Sequence, residues 1–170
     1  MPIFDDGDIV RAVGFLAIYF GNLEDEVDAL ISAAVASGLF SSDPDIGRRN
    51  FRDKLRYIKR GFAAAFESRQ PYLYMEEDRR QVRSTLIACK EAAKRRNELM
   101  HLPIFGDRQG RGRTYQRLRD GTMNQIYSRQ IYELANRVSD LGGAVYGMTF
   151  VLSHIQTRPE APTSGQARIG

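Results

Sequence analysis

The chain has 170 residues, of which 42% are hydrophobic and 27% are charged, with one cysteine and no tryptophan. This length fits one globular domain, and the hydrophobic fraction is enough to fill its core. Cys89 cannot form an internal disulfide, and with only two histidines, His101 and His154, the chain lacks the ligands of a zinc finger. We therefore predict a single domain over residues 1–157 that needs no metal and no cofactor.

The longest apolar stretches, 12–20 and 141–152, are shorter than the roughly 18 to 20 residues that a membrane-spanning helix needs. Acidic residues precede the first stretch, where a secretory signal would carry positive charge. The sequence therefore predicts a cytoplasmic protein.

Apolar residues recur every three or four positions in four segments, which is the pattern of amphipathic helices. In the second segment, Asp43 and Pro44 are suited to the N-cap and the first helical position, and in the third, Pro103 ends the helix. The predicted helices cover about 8–38, 44–66, 76–102 and 128–156. Four such helices in one chain predict an all-α fold, an antiparallel four-helix bundle.

The segment between the third and fourth helices, residues 104–127, loses helical periodicity and contains four glycines. We expect an extended loop or a short β-hairpin there. The tail, residues 158–170, is rich in Pro, Gly, Ser and Ala and is predicted to be disordered. Glycines within the helices are expected to let helices approach closely, either inside the bundle, which is favoured, or across a dimer axis: Gly14, Gly21, Gly142, Gly143 and Gly147.

The 25 basic and 21 acidic residues give a net charge of +4, and 21 of the bases are arginine. Basic residues concentrate in 48–60 and in 108–119. Such runs are either solvated faces or phosphate-binding surfaces, and arginine suits phosphate because its planar guanidinium donates two parallel hydrogen bonds. The residues predicted to bind RNA are Arg48, Arg49, Arg52, Arg56, Arg95, Arg108, Arg111 and Arg113.

The end of the third helix combines a cation, an amide and an imidazole in Arg96, Asn97 and His101. The apolar stripe of this helix, continued at the same spacing, passes through Val82, Leu86, Cys89, Ala93, Arg96 and Met100. A guanidinium on that stripe must be paired, face a polar cleft or reach out of the core. An arginine can stabilise a phosphorane and a histidine can move the proton, so this set suits RNA cleavage without a metal.

The segment Arg96-Asn97-x-x-x-His101 resembles the Arg-x(4–6)-His motif of HEPN domains, in which a polar residue commonly follows the arginine. HEPN domains are small helical bundles, and many are metal-independent endoribonucleases of toxin–antitoxin, anti-phage and RNA-processing systems. The resemblance implies that Arg96 stabilises the phosphate, Asn97 supports it and His101 acts as acid and base. It also implies RNA as substrate, a homodimer, and an antitoxin or other regulatory protein as a partner.

Two other functions stay open at this stage. In one, a non-catalytic HEPN-like bundle serves as a protein interaction module, and Arg96 and His101 form a structural polar network. In the other, the chain is a DNA-binding regulator, which is disfavoured because no helix-turn-helix is apparent. A di-iron site is also disfavoured, since Glu98 and His101 form one Glu-x-x-His unit without a second copy.

Overall fold

The computed structural model describes residues 9–67, 76–101, 103–106 and 113–155, with the backbone alone for 76, 154 and 155. Four long helices dominate it: α1 (Ile9–Ala36), α2 (Phe51–Glu67), α3 (Glu76–His101) and α4 (Ser128–Ile155). Three short strands lie between α3 and α4: β1 (Ile104–Gly106), β2 (Thr114–Arg117) and β3 (Met123–Ile126). The helical prediction is confirmed, but the sheet makes this a mainly α fold rather than the predicted all-α bundle. The predicted disordered tail lies outside the described residues.

The core follows the predicted stripes of α1 and α4. In α1 the heptad-spaced residues Ile9, Leu16, Leu23 and Leu30 are buried, and in α4 the series Ile131, Val138, Val145 and Leu152 is buried. Repeats of seven residues keep one face of each helix against its neighbour along its whole length. No helix within the described ranges combines the length and apolar character needed to cross a bilayer.

Helices α1 and α4 run in the same direction. Phe15, in the second turn of α1, packs its ring 6.1 Å from the ring of Tyr132, in the second turn of α4. Both helices have 28 residues and are buried to their far ends, at Ala34 and Leu152. Two helices that meet at their starts and stay covered to their ends lie side by side in parallel. The prediction of an antiparallel bundle is therefore wrong for this pair.

Helix α2 begins later than the sequence predicted. Asn50 caps it, because its side-chain oxygen accepts a hydrogen bond from the Asp53 backbone N–H at 3.0 Å. Asp43 instead accepts from the Asp45 N–H at 3.1 Å and stabilises a turn that leads into a short 3₁₀ helix, Ile46–Arg48. The predicted start at Asp43 and Pro44 is thus wrong.

Five of the helix glycines do not lie at contacts between helices of the bundle. A Cβ built on Gly14, Gly21, Gly142, Gly143 or Gly147 meets nothing within 4 Å. These residues face open space, so the expectation of close helix approach within the bundle is wrong. Gly61 in α2 differs, because a Cβ there would overlap the ring of Phe40.

The sheet replaces the predicted loop or hairpin with three antiparallel strands in the order β1-β2-β3. One face is covered by the bundle, since Thr114 and Gln116 are 2% and 1% exposed. The turn between β2 and β3 places Gly121 at a φ of +86°, a conformation that glycine adopts without strain. The sheet therefore closes the end of the bundle at which α3 ends.

Candidate functional site

Gln116 fixes the C-terminal end of α3 from the neighbouring strand. The last four carbonyls of a helix lack partners within the helix. The side-chain nitrogen of Gln116 donates to the carbonyl oxygens of Glu98 at 2.9 Å and Leu99 at 3.4 Å. This buried amide thus positions the turn that carries Asn97 and His101, a role that the sequence analysis missed because short strands give little periodic signal.

Replacing Gln116 by leucine keeps the volume but leaves two carbonyls without their donor. We expect the free energy of unfolding to fall by about 1 to 3 kcal/mol, because that is the cost of leaving a buried polar group without a hydrogen bond. Urea denaturation followed by circular dichroism measures this. The control is Gln81→Leu at an exposed position of α3, which is expected to change stability little. Equal stability of the two variants would contradict the positioning role.

Arg96 lies along an aromatic surface and not within the core. Its guanidinium carbon is 5.0 Å from the centre of the Phe20 ring, and its Nη1 donates to the side-chain oxygen of Asn97 at 3.0 Å. Its Nε is buried and has no hydrogen-bond partner among the described residues. Phe20 in turn packs against Phe51, with ring centroids 5.1 Å apart. The Nη1 end of this guanidinium lies at the surface, where a cation held in one orientation can bind an anion.

The core stripe of α3 bypasses Arg96. Its buried apolar residues are Val82, Leu86, Cys89, Ala92 and Leu99. Ala93 is half-buried and Met100 is 37% exposed, so the predicted stripe through Ala93, Arg96 and Met100 is wrong after Cys89. The stripe shifts by one position at the adjacent alanines, and Arg96 lies at its border.

His101 is exposed in the last turn of α3. Asn97, four positions earlier, lies on the same face of the helix. Arg96 is five positions away, which turns it by about 140° around the helix axis. No hydrogen bond or ion pair joins His101 to Arg96 or Asn97 within the described part of the chain. The structure therefore joins Arg96 to Asn97 and places His101 one turn beyond them.

The other predicted RNA-binding residues fall into two regions. Arg48 and Arg49 are exposed just before α2, and Arg52 and Arg56 are exposed in its first two turns. Arg49 pairs with Asp43 and Arg56 with Asp53, both at 2.8 Å. On α3, Arg95 pairs with Glu98 at 3.3 Å, and Arg113 is exposed before β2, at the end of the sheet away from α3. Arg108 and Arg111 lie outside the described residues.

A groove between α2 and α3 has a volume of about 520 Å³ and contains more basic residues than the sequence analysis selected. Its floor is apolar, with Leu55, Phe62, Val82 and Leu86. Its cations come from both helices: Arg52, Arg56 and Lys59 on α2, and Arg79, Arg83 and Lys90 on α3. Glu67 is the acidic residue among the lining side chains. We call this feature the basic groove.

One end of the basic groove lies less than two turns of α3 before Arg96, which does not itself line the groove. Lys90 and Arg52 lie at one end, and Arg96 follows Lys90 by six positions, about 9 Å along the helix axis. Arg79 lies at the other end, 4.9 Å above the Phe66 ring. The sequence alone could have indicated the basic groove, because α2 and α3 each carry two cations four positions apart beside their apolar stripes.

Cys89 does not take part in the site. It is buried in the core, and burial raises the pKa of its thiol to about 11. The nucleophilic thiolate is therefore scarce at neutral pH. Among the described residues, no group of three or more His, Cys, Asp or Glu side chains is arranged to hold a metal ion.

No family model, curated protein or solved structure shows significant similarity to the chain.

Proposed function

We propose that this protein is a metal-independent endoribonuclease of the HEPN type. The observation that carries the proposal is the state of Arg96: half-buried on Phe20, oriented by Asn97, and left with a buried Nε donor that has no partner among the described residues. The hydrogen bond from Nη1 to Asn97 lies at the surface, so the outer end of this oriented guanidinium can be reached by an anion. A phosphodiester is such an anion.

The proposed reaction uses three side chains. The imidazole of His101 takes the proton of a ribose 2′-hydroxyl while that oxygen attacks the neighbouring phosphorus. The bond from phosphorus to the 5′ oxygen then breaks, and the imidazolium returns the proton to that oxygen. Arg96 stabilises the charge that grows on the phosphorane, and Asn97 holds the guanidinium in place. The products are a 2′,3′-cyclic phosphate and a 5′-hydroxyl.

The basic groove supports RNA as the substrate, because it presents six cations against one carboxylate. Among the described residues, Arg52, Lys59, Arg83 and Lys90 have no ion pair within the chain, so their charges are available to phosphates. Contacts of this kind bind the nucleic-acid backbone without reading its sequence. The groove would therefore guide an RNA strand towards Arg96.

Cleavage by His101→Ala protein tests the proposal. We expect its rate to fall by about 100-fold or more, since a general acid–base residue contributes that much. The matched control is Met100→Ala, which truncates the adjacent partly exposed side chain and is expected to cleave at the wild-type rate. Equal rates for the two variants would contradict the assignment of His101.

We also propose a homodimer. The outer face of α4 has no charged residue from Leu141 to Ser153, and it exposes Tyr146, Phe150 and Val151. Gly143 and Gly147 on the same face leave room for a second helix to approach. An apolar exposed face of this kind is typical of a protein interface. A monomer in sedimentation equilibrium at micromolar concentration would contradict this proposal.

A second candidate function is a protein interaction module, with a regulatory protein such as an antitoxin as its partner. The apolar floor of the basic groove favours it, because an acidic amphipathic helix could bury apolar side chains there. In that case Arg96 and Asn97 would be a structural pair. Loss of cleavage in a stably folded Arg96 variant decides against this alternative.

A further inference from the structure

The outer face of the sheet is an exposed aromatic surface that the proposed chemistry does not use. Phe105 pairs with Tyr115 across β1 and β2, Tyr115 pairs with Gln125, and Arg117 pairs with Met123. Because cross-strand partners and alternate residues share a face, all five lie on the side opposite Thr114 and Gln116. Phe105 is 44% and Met123 is 48% exposed. We call this surface the outer sheet face.

The outer sheet face adjoins the proposed catalytic residues. Phe105 follows His101 by four positions, and β2 is bonded to the end of α3 through Gln116. The backbone N–H of Arg117 also donates to the carbonyl of Pro103 at 3.0 Å, just after that helix end. Gln116 holds β2 from the inner face, and the chain itself places Phe105 only four residues beyond His101, within reach of a strand bound there.

The rings and charges of the outer sheet face suit nucleic-acid bases. Within the described residues, neither Phe105 nor Tyr115 packs against another aromatic ring or a cation. Arg113, Arg117 and Arg119 are exposed around them, and Asp120 is the nearby carboxylate on this turn. Binding surfaces for single strands combine stacking rings with cations in this way.

We propose that the outer sheet face stacks unpaired bases beside His101, so that the substrate is single-stranded RNA. This inference rests on the proposed function, since it assumes that RNA reaches His101. In a duplex the bases are stacked on one another and are not presented to side chains. An unpaired segment can instead place a base on Phe105 beside the end of α3.

Binding of a fluorescein-labelled single-stranded 12-mer RNA, measured by anisotropy in the His101→Ala background, tests this proposal without cleavage. We expect Phe105→Ala to weaken binding by about tenfold, because one stacked base contributes an effect of that order. Phe105→Tyr keeps the ring and should restore binding. The matched control is Asn124→Ala, an exposed residue on the opposite face of β3, which removes no ring and should change binding little. The same RNA annealed to its complement should bind the parent protein more weakly than the single strand.

Each outcome decides the proposal. If Phe105→Ala binds as tightly as the parent, or if the duplex binds as well as the single strand, the outer sheet face is not a base-stacking surface. If Phe105→Ala weakens binding and Phe105→Tyr restores it while wild-type protein cuts no RNA, the stacking surface stands and the nuclease assignment fails. Unchanged melting temperatures confirm that the variants are folded, as expected for a residue that is 44% exposed.

Discussion

Replacing Arg96 by alanine is expected to reduce RNA cleavage by about 100-fold or more, the effect of removing one donor that stabilises a transition-state charge. The free energy of unfolding should fall by no more than about 1 kcal/mol, the contribution of a cation–π contact at a partly exposed site. The Arg96 guanidinium donates one hydrogen bond to the side chain of the neighbouring Asn97. Its buried Nε has no hydrogen-bond partner among the described residues. We therefore expect the loss of Arg96 to affect the proposed cleavage much more than the stability of the fold.

Cleavage rates and urea denaturation, measured on the same preparations, separate these two effects. The matched control is Arg80→Ala in the first turns of α3, where an exposed arginine pairs with Glu77 at 2.9 Å. That variant should retain both cleavage and stability. A stable Arg96→Ala protein that cleaves at the wild-type rate would disprove the role of Arg96. A large loss of stability would instead favour the structural polar network.

Gly61→Ala is expected to lower the free energy of unfolding by about 1 to 3 kcal/mol, the usual cost of overpacking a core. A methyl group there would overlap the ring of Phe40. Phe40 is 4% exposed, and its ring packs against Tyr57 and Phe62, with centroids 5.7 and 5.2 Å away, so a shift of the ring would disturb both contacts. The steric cost exceeds the gain of about 1 kcal/mol that alanine normally gives in a helix.

Gly14→Ala is the matched control for this change. A Cβ at Gly14 meets nothing within 4 Å, so alanine should stabilise α1 there. Urea denaturation of both variants should move the midpoints in opposite directions. Equal midpoints would contradict the packing of Phe40 against Gly61.

The sequence predicted the faces of the helices better than their arrangement. Apolar residues spaced three or four apart indicated which side of α1 and of α4 is buried, and the burial of their seven-residue series agrees with that spacing. A repeat carries no information on direction, so the parallel course of α1 and α4 was not predictable. The start of α2 was wrong because Asp43 and Asn50 are both good caps, and the contact of Phe51 with Phe20 favours the second.

The candidate site was predictable in its residues but not in its surroundings. Arg96, Asn97 and His101 follow from one short motif at a helix end. Phe20 and Gln116, which hold that end, are distant in sequence and carry no local signal. The α3 stripe was predicted wrongly because Ala92 and Ala93 fit the apolar spacing equally well. A stripe through Ala93 places Arg96 at its centre, whereas the observed stripe through Ala92 leaves Arg96 at its border.

The chemical identity of the ends left on RNA tests the central claim most directly. Wild-type protein is incubated with single-stranded RNA in EDTA, and the products are analysed by mass spectrometry. We predict 2′,3′-cyclic phosphates, because the proposed reaction uses the 2′-hydroxyl as nucleophile and side chains of this protein alone. Products that carry 3′-hydroxyl ends, or no cleavage of any RNA in a broad panel, would contradict the claim.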